Sequence, residues 1–561
     1  MNVRAADSTS GSNIASLIAA RAAEAPRPLF RQHLAGEWRD FDARTVARMA
    51  AAWQAGLHRA GMRAGDRVGI CLRNGVHWVA VDTAALGMRL VVVPLYVDDN
   101  AGNIAWCARD AGCKLIVLEN ERQLRALQAE KLECVFVVLT GEGAAGAQRA
   151  SDFLAEPEDG LRVEDVEIET LASVCYTSGT SGRPKGVMLS HANMLFDARA
   201  GLQTITLRPD ETFISLLPLS HMFERTAGYY LPLMHGARIV YARGIAQFAD
   251  DLATQRPTVM ITVPRVLERL HARILQALRD TPSRKRLLLK AAAHGWRVAS
   301  GHGSWADRAV QAVLDPLAAR PVRERLGGRL YLVVAGGAAM NPSISRFFIG
   351  LGVHVLQGYG MTEASPVISV NRPERNVPES VGEPLPGVEV RVSESGELLT
   401  RGPHVMLGYW NNAPATQGAI REGWLHTGDV VERHDNRITI RGRAKDILVL
   451  SNGEKVPPQD IENSITEDPL FQQVMLVGEG RPFLTLLAVT DETDDRALVQ
   501  RANDRLAAFP RYARVRRVIR VREAWTVENG LLTPTLKLKR NVVAQRYGEE
   551  IERVYEREGT A

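Results

Sequence analysis

Between Tyr176 and Val187 the chain reads YTSGTSGRPKGV, a stretch that concentrates the groups able to hold phosphate. Small residues let successive backbone N–H groups turn inward together, and such a concavity binds anions. The hydroxyls of Thr177, Ser178, Thr180 and Ser181 add donors, Gly179 and Gly182 permit close approach, and Lys185 adds positive charge. The common nucleoside-triphosphate loop, G-x-x-x-x-G-K-[ST], is not matched, because Lys185 stands between Pro184 and Gly186. A phosphate loop of some other fold is therefore expected. A plain flexible turn is the alternative.

Further along, other residues offer the rest of a nucleotide site. In GYGMTE, Tyr359 is flanked by Gly358 and Gly360, so its ring can lie flat against a purine. Thr362 and Glu363 supply hard oxygen ligands, and Mg²⁺ on nucleotide phosphates takes few ligands from protein. Asp429, after Gly428, suits acceptance of hydrogen bonds from both ribose hydroxyls. In AGGAAM, Gly337 and Ala338 follow an apolar run and let an adenine edge pass close to backbone. Taken singly, each has a plainer reading as a turn or a core contact.

These residues need a scaffold, and the pattern around them supplies one. DRVGICL, HWVAVDTAALGM and RLVVVPLY read strand, helix, strand, a unit that makes a parallel sheet. The alternation recurs in KLIVLE, CVFVVLT, ARIVYA, TVMITV and RLYLVVAGG. Between Arg265 and Arg329 a basic, Ala/Leu-rich stretch with helical spacing predicts a helical layer over a sheet. After about Pro384 the short runs VEVRV, GELLTRG and RITIRG predict a small antiparallel subdomain. Beyond Gly442 another compact unit begins, with ILVL, QVMLVG and FLTLLAV as its strands. The expected fold class is α/β. It comprises a large multi-layer N-terminal domain over 1–442, with the small β subdomain, and a smaller mobile α+β C-terminal domain over 443–561.

At 561 residues the chain has room for more than one core. Apolar content of 45%, charged content of 24% and a net charge of +5 are ordinary for a water-soluble globular protein, and no nucleic-acid partner is expected. Cys71, Cys107, Cys113, Cys134 and Cys175 form an odd set without C-x-x-C, so neither a disulfide framework nor a zinc site is expected and a reducing cytoplasm fits. The first thirty residues lack a secretory apolar core, and no run of about 18 apolar residues exists. The protein is expected in the cytoplasm, with peripheral association at the inner membrane face left open. A hydrolase built on G-x-S-x-G lacks its motif.

The ordered strings also resemble one known family. SGTSGRPKG, QGYGMTEASP, GWLHTGD, GRAKDILVLSNGEKVPPQDIE and LTPTLKLKR occur in the order found in the adenylate-forming superfamily of acyl-CoA synthetases, luciferases and peptide-synthetase adenylation domains. LLPLSHMFERTAGYY and NGLLTPTLKLKR are similar to the long-chain fatty acyl-CoA synthetase branch. The resemblance implies ligation of a long-chain fatty acid to coenzyme A through acyl-AMP, with ATP and Mg²⁺; a fatty acyl-AMP ligase delivering to a carrier protein, or a medium-chain or aryl-CoA ligase, is the alternative. It implies Thr177 and Glu363 at the metal, and His221 beside the acyl carboxylate. It makes Lys537 the catalytic lysine among Lys537, Lys539 and Arg540, with Leu536 in place of the usual preceding Gly. It places Lys445 at a hinge, Arg443 in both catalysis and nucleotide binding, and Gln357 and Gly453 among the cofactor-binding positions. No carrier segment follows Lys537, so a free-standing ligase is expected. Oligomeric state and acyl length are not fixed by these motifs.

Overall fold

Runs of Val, Ile and Leu bounded by Gly and Pro become inner strands, because branched side chains pack well on a pleated surface covered on both faces. The computed structural model describes residues 13–141, 146–156, 159–167, 169–177, 183–507, 509–527, 529–533 and 538–559. Ser178 to Gly182 and Lys537 lie outside the described residues.

Two large sheets form the N-terminal domain. The eight-stranded sheet has the order Gly408–Tyr409, Lys185–Ser190, Leu171–Thr177, Val91–Pro94, Arg67–Cys71, Cys113–Asn120, Val135–Thr140, Ala147–Arg149. Its core is parallel, as the strand–helix–strand reading requires, with Arg67 opposite Val91 and the Val76–Gly87 helix between them in sequence. The nine-stranded sheet runs Glu383–Pro384, Val367–Val370, His354–Gly360, Leu332–Ala335, Val259–Thr262, Thr212–Ser215, Arg238–Tyr241, Phe30–Leu34, Glu37–Phe41. Its six inner strands are parallel and its edges antiparallel. Ligands in such sheets bind beyond the carboxyl ends of the strands.

The basic stretch is helical as expected, with helices Pro264–Gln276, Pro282–Ala299 and Trp305–Leu314. Leu288, Ala291 and Ala292 are buried in one core with Phe347 and Phe348 of the Pro342–Gly350 helix. The small subdomain is antiparallel, with Glu389–Val392, Glu397–Arg401, Trp424–His434 and Ile420–Arg421 in order and Arg437–Arg443 paired to Trp424–His434. The separate C-terminal domain has a three-stranded sheet, Gln473–Val477, Leu484–Val489 and Val515–Val521, between two apolar cores. A short hairpin, Leu448–Val449 with Lys455–Val456, stands apart from that sheet. Asn341 Nδ2 donates to Glu467 Oε1 at 2.9 Å, tying the two domains together. Among the described residues no helix is long and apolar enough to cross a membrane.

Candidate active site

A cleft of about 1390 Å³ opens where the carboxyl ends of both sheets, the β subdomain and the C-terminal domain meet. The N-terminal domain contributes Thr177, Lys185, His221, Gly336–Met340 and Gln357–Glu363, and the subdomain contributes Asp429 and Arg443. Pro458, Asn463 and Glu467 face it from the C-terminal domain, together with Thr533, Leu538 and Lys539. Residues far apart in sequence thus line one space.

Tyr359 ends the His354–Gly360 strand, and its hydroxyl donates to Asp429 Oδ2 at 2.5 Å. Burial, and then the Asp429 carboxylate, push this phenol well above its ordinary range, so it remains a donor. Asp429 sits opposite Arg443 across the subdomain ladder, and Arg443 Nε lies 3.3 Å from Asp429 Oδ1. The carboxylate is thus held between a phenol and a guanidinium at the cleft wall. This fits a ribose, whose hydroxyls must find a rigid acceptor.

Glu363 lies in the short Thr362–Ala364 turn and is 9% exposed. Tyr409, which the sequence reading did not single out, donates to Glu363 Oε1 at 2.8 Å. Burial and Glu363 raise the Tyr409 phenol, keeping it protonated. Lys185 Nζ stands over the Tyr409 ring, 5.1 Å from its centre. Thr177 pairs with Lys185 in the antiparallel Leu171–Thr177 and Lys185–Ser190 ladder, so both flank the phosphate-loop segment. Among the described residues no cluster of three or more His, Cys, Asp and Glu could hold a metal on its own. One oriented carboxylate beside a lysine and a threonine does fit Mg²⁺ carried by nucleotide phosphates, which needs only one or two protein ligands.

The wall formed by Gly336 and Gly337 is built from backbone. Leu332–Ala335 ends at Gly336, where a Cβ would come within 3.2 Å of the Phe223 ring, and Gly337 has φ +82°. Gly360 has a separate reason to be glycine: a Cβ there would lie 1.8 Å from the Pro366 carbonyl oxygen. Gln357 is 7% exposed and its amide donates to the Pro378 carbonyl, a structural tie beneath the wall. His221 stands just before the buried helix through Glu224–Tyr230, and its Nδ1 accepts from the Phe223 N–H at 3.2 Å. Inward from it the cleft is apolar, lined by Phe213, Leu231, Val259, Ile261 and Val334.

On the C-terminal side, Lys445 is exposed at the cleft, in a turn closed by Asp446 N–H to the Arg443 carbonyl at 3.0 Å. Arg540 is engaged by the buried Glu462, which removes it as a free cation for the cleft. Lys539 does line the cleft. Gly453 does not: it sits at the tip of the Leu448–Val449 and Lys455–Val456 hairpin, with φ +85° and open space around it. Of the described candidate residues, the cleft thus gathers those of the N-terminal domain and subdomain, and Gly453 stands outside it. Tyr409 was illegible because its strand is two residues long and pairs with Val187, far away in sequence.

Comparison with known proteins agrees with this geometry. Residues 19–410 match the model of the AMP-binding enzyme family, and residues 445–559 that of the AMP-binding enzyme C-terminal domain. The long-chain-fatty-acid–CoA ligase FadD15 of Mycobacterium bovis is 31% identical, over 97% of each chain. Human long-chain-fatty-acid–CoA ligase 1 is 30% identical over 87% of this chain and 78% of its own. Among solved structures, ATP-bound MatB from Rhodopseudomonas palustris superposes with TM-score 0.75 at 22% identity, covering 96% and 99% of the two chains. The adenylation domain of a Segniliparus rugosus carboxylic acid reductase, bound to AMP and a carboxylic acid, gives 0.79 at 20% identity, covering 99% and 96%.

Proposed function

The chain belongs to the AMP-binding enzyme family, and from that premise we propose that it ligates a long-chain fatty acid to coenzyme A. The carboxylate attacks the α-phosphorus of ATP, forming acyl-AMP and releasing pyrophosphate. The thiol of coenzyme A then attacks the acyl carbon and AMP leaves. The observation that carries this reading is the single cleft in which Tyr359, Asp429 and Arg443 meet Lys185, Glu363 and an apolar arm.

In this reading Asp429 accepts from the ribose, Tyr359 lies against the purine, and Gly337 and Ala338 border its edge. Lys185 and the Thr177–Gly182 segment face the phosphates. Thr177 and Glu363 would hold Mg²⁺, which draws charge from the phosphates when bound. His221 stands beside the acyl carboxylate. Two anions meet in the first step, and the ammonium of Lys537 offsets their repulsion. Thr533 and Leu538, on either side of it in sequence, line the cleft, which supports that role.

The domain boundary at 442/443 and the hinge at Lys445 follow from the same reading. Rotation there would withdraw the Leu532–Asn541 segment and bring the hairpin bearing Gly453 to the cleft for thioester formation. Lys445→Pro, which locks φ near −65°, should then spare adenylation and stop thiol transfer from supplied acyl-AMP. Unchanged transfer would place the pivot elsewhere.

The test of substrate class is AMP release across acids from acetate to stearate, with benzoate included, each with and without coenzyme A. Long saturated acids should give the highest kcat/KM and yield thioesters. A preference for acetate or benzoate would overturn the acyl assignment, and acyl-AMP that never passes to coenzyme A would overturn the ligase reading.

A further inference from the structure

Glu363 projects from a turn only three residues long, Thr362–Ala364, and a free glutamate side chain has much rotamer freedom to lose when it meets a cation. Among the described residues one side chain hydrogen-bonds its carboxylate: Tyr409, whose hydroxyl donates to Oε1 at 2.8 Å. The ring that carries this hydroxyl also faces the Lys185 ammonium, 5.1 Å from the ring centre. Tyr409, Lys185 and Glu363 all line the cleft. One side chain therefore touches both the anion and the cation on this side of it.

Backbone bonds hold Tyr409 in that place. Gly408–Tyr409 pairs antiparallel with Lys185–Ser190, and Tyr409 stands opposite Val187. Lys185, two residues before Val187, shares its face of the strand and so lies diagonally across from Tyr409. Leu407 N–H donates to the Met188 carbonyl at 3.0 Å, and Trp410 N–H to the Gly186 carbonyl at 2.7 Å. Met406 N–H donates to the Glu363 carbonyl at 2.9 Å. Tyr409 N–H donates to Thr416 Oγ1 at 2.9 Å, and the Trp410 indole to the Asp110 carbonyl at 3.0 Å. The Lys185 strand belongs to the eight-stranded sheet, while the Glu363 turn joins two strands of the nine-stranded sheet. Residues 406–410 are thus a strap between the two sheets, and Tyr409 is the side chain it offers to the cleft.

We propose that Tyr409 is a positioning residue with two separable parts, its hydroxyl orienting Glu363 for the metal and its ring holding Lys185 for the phosphates. This rests on the roles proposed above for Glu363 and Lys185. Without the strap, the spacing between carboxylate and ammonium would depend on how two sheets lie against each other. With it, both groups answer to one aromatic side chain. The hydroxyl removes rotamer freedom from Glu363 before the metal arrives, so less is lost on binding. The ring keeps the ammonium near the strand end where the phosphate segment begins.

The test is calorimetric binding of α,β-methylene-ATP, which cannot be cleaved between those phosphates, to the full chain in saturating Mg²⁺ and in EDTA. The parent should bind more tightly with Mg²⁺. Tyr409→Phe removes the hydroxyl and keeps the ring. Its affinity in EDTA should match the parent's, while the gain from Mg²⁺ should shrink about tenfold or more, as for a lost hydrogen bond to a charged group. Tyr409→Leu removes ring and hydroxyl together, and should in addition bind about threefold more weakly in EDTA. A tyrosine that served the fold alone would lower Tm and both affinities in step. Two results would overturn the proposal and leave Glu363 at the metal: a Tyr409→Phe variant that keeps the parent's full gain from Mg²⁺, or one that loses equally in Mg²⁺ and in EDTA. A parent that gains nothing from Mg²⁺ would overturn it too, and would remove Glu363 from the metal as well. Should Tyr409→Leu fail to fold, Tyr409→Phe alone decides.

Discussion

Two Arg–Asp pairs in this molecule share their chemistry and differ in everything around them. Arg225 and Asp82 are both 0% exposed, and Arg225 also donates to Ser173 Oγ at 2.8 Å while Tyr230 donates to Asp82 at 3.1 Å. Arg225 further lies over the Trp78 ring, 5.3 Å from its centre. Arg443 and Asp429 stand at the cleft, with Arg443 46% exposed and Asp429 backed by a tyrosine hydroxyl. The first pair is enclosed on all sides by this chain, with Arg225 Nε alone left without an acceptor, and has no opening to a ligand. The second lines the cleft wall, with Arg443 half in water. An ion pair reads as a site through its place at a cleft, and neither residue type nor distance alone reveals that.

Breaking the buried pair should have the largest effect. Arg225→Met leaves Asp82 buried without its partner, and such removals cost about 3–5 kcal/mol. Chemical denaturation should show that loss, and a change under ~1 kcal/mol would contradict the structural role. Next comes Lys537→Ala, expected to weaken the adenylation transition state by about 2–4 kcal/mol. Thioester formation from supplied acyl-AMP should survive, and equal loss in both half-reactions would remove Lys537 from its role. Lys539→Ala is the close control, and a larger loss there would transfer the role to Lys539. Third, Asp429→Asn should weaken ATP binding by about 1.5–3 kcal/mol, the range for hydrogen bonds to charged groups. Its stability should change little, because Arg443 is half in water. A large loss of stability with unchanged KM for ATP would erase the contrast between the two pairs.

A pH slope, in place of a single loss, sharpens the comparison from the next residue along. Glu224, beside Arg225, is fully buried and neither carboxylate oxygen makes a well-formed hydrogen bond. Burial, only partly opposed by Ser215, raises it from 4.5 to about 8. Below about 4.5 both folded and unfolded chains keep this proton. Between there and about 8 only the unfolded chain releases it, so stability falls as pH rises, by up to about 1.4 kcal/mol per unit. Above about 8 the contribution is flat. Glu224→Gln should remove that slope in denaturation measured from pH 5 to pH 8, and an unchanged slope would mean the charge is carried elsewhere.

Much of this was legible in the sequence for a physical reason. The parallel strands Arg67–Cys71, Val91–Pro94 and Cys113–Asn120 announce themselves as buried β-branched runs, and the antiparallel subdomain as alternating ones. Tyr359, Glu363 and Asp429 stood in strings whose order is informative, and the fold brings them to one cleft. Contacts without a local pattern were not legible. Tyr409 reaches Glu363 from 46 residues away, and Arg225 meets Asp82 across 143. Gly360 was assigned to the nucleotide, yet the approach of the Pro366 carbonyl demands glycine there before any ligand is considered. Glu224 carried no signal, because nothing in a sequence shows that a carboxylate will be left unpaired.

The central claim is that the cleft joins a carboxylate to AMP before any thiol takes part. Exchange of labelled pyrophosphate into ATP, followed with a long-chain fatty acid and no coenzyme A, tests it most directly. Acid-dependent exchange is predicted, reduced strongly by Lys537→Ala and left largely intact by Lys445→Pro. No exchange by the folded parent enzyme, or exchange that proceeds equally well without acid, would contradict the account.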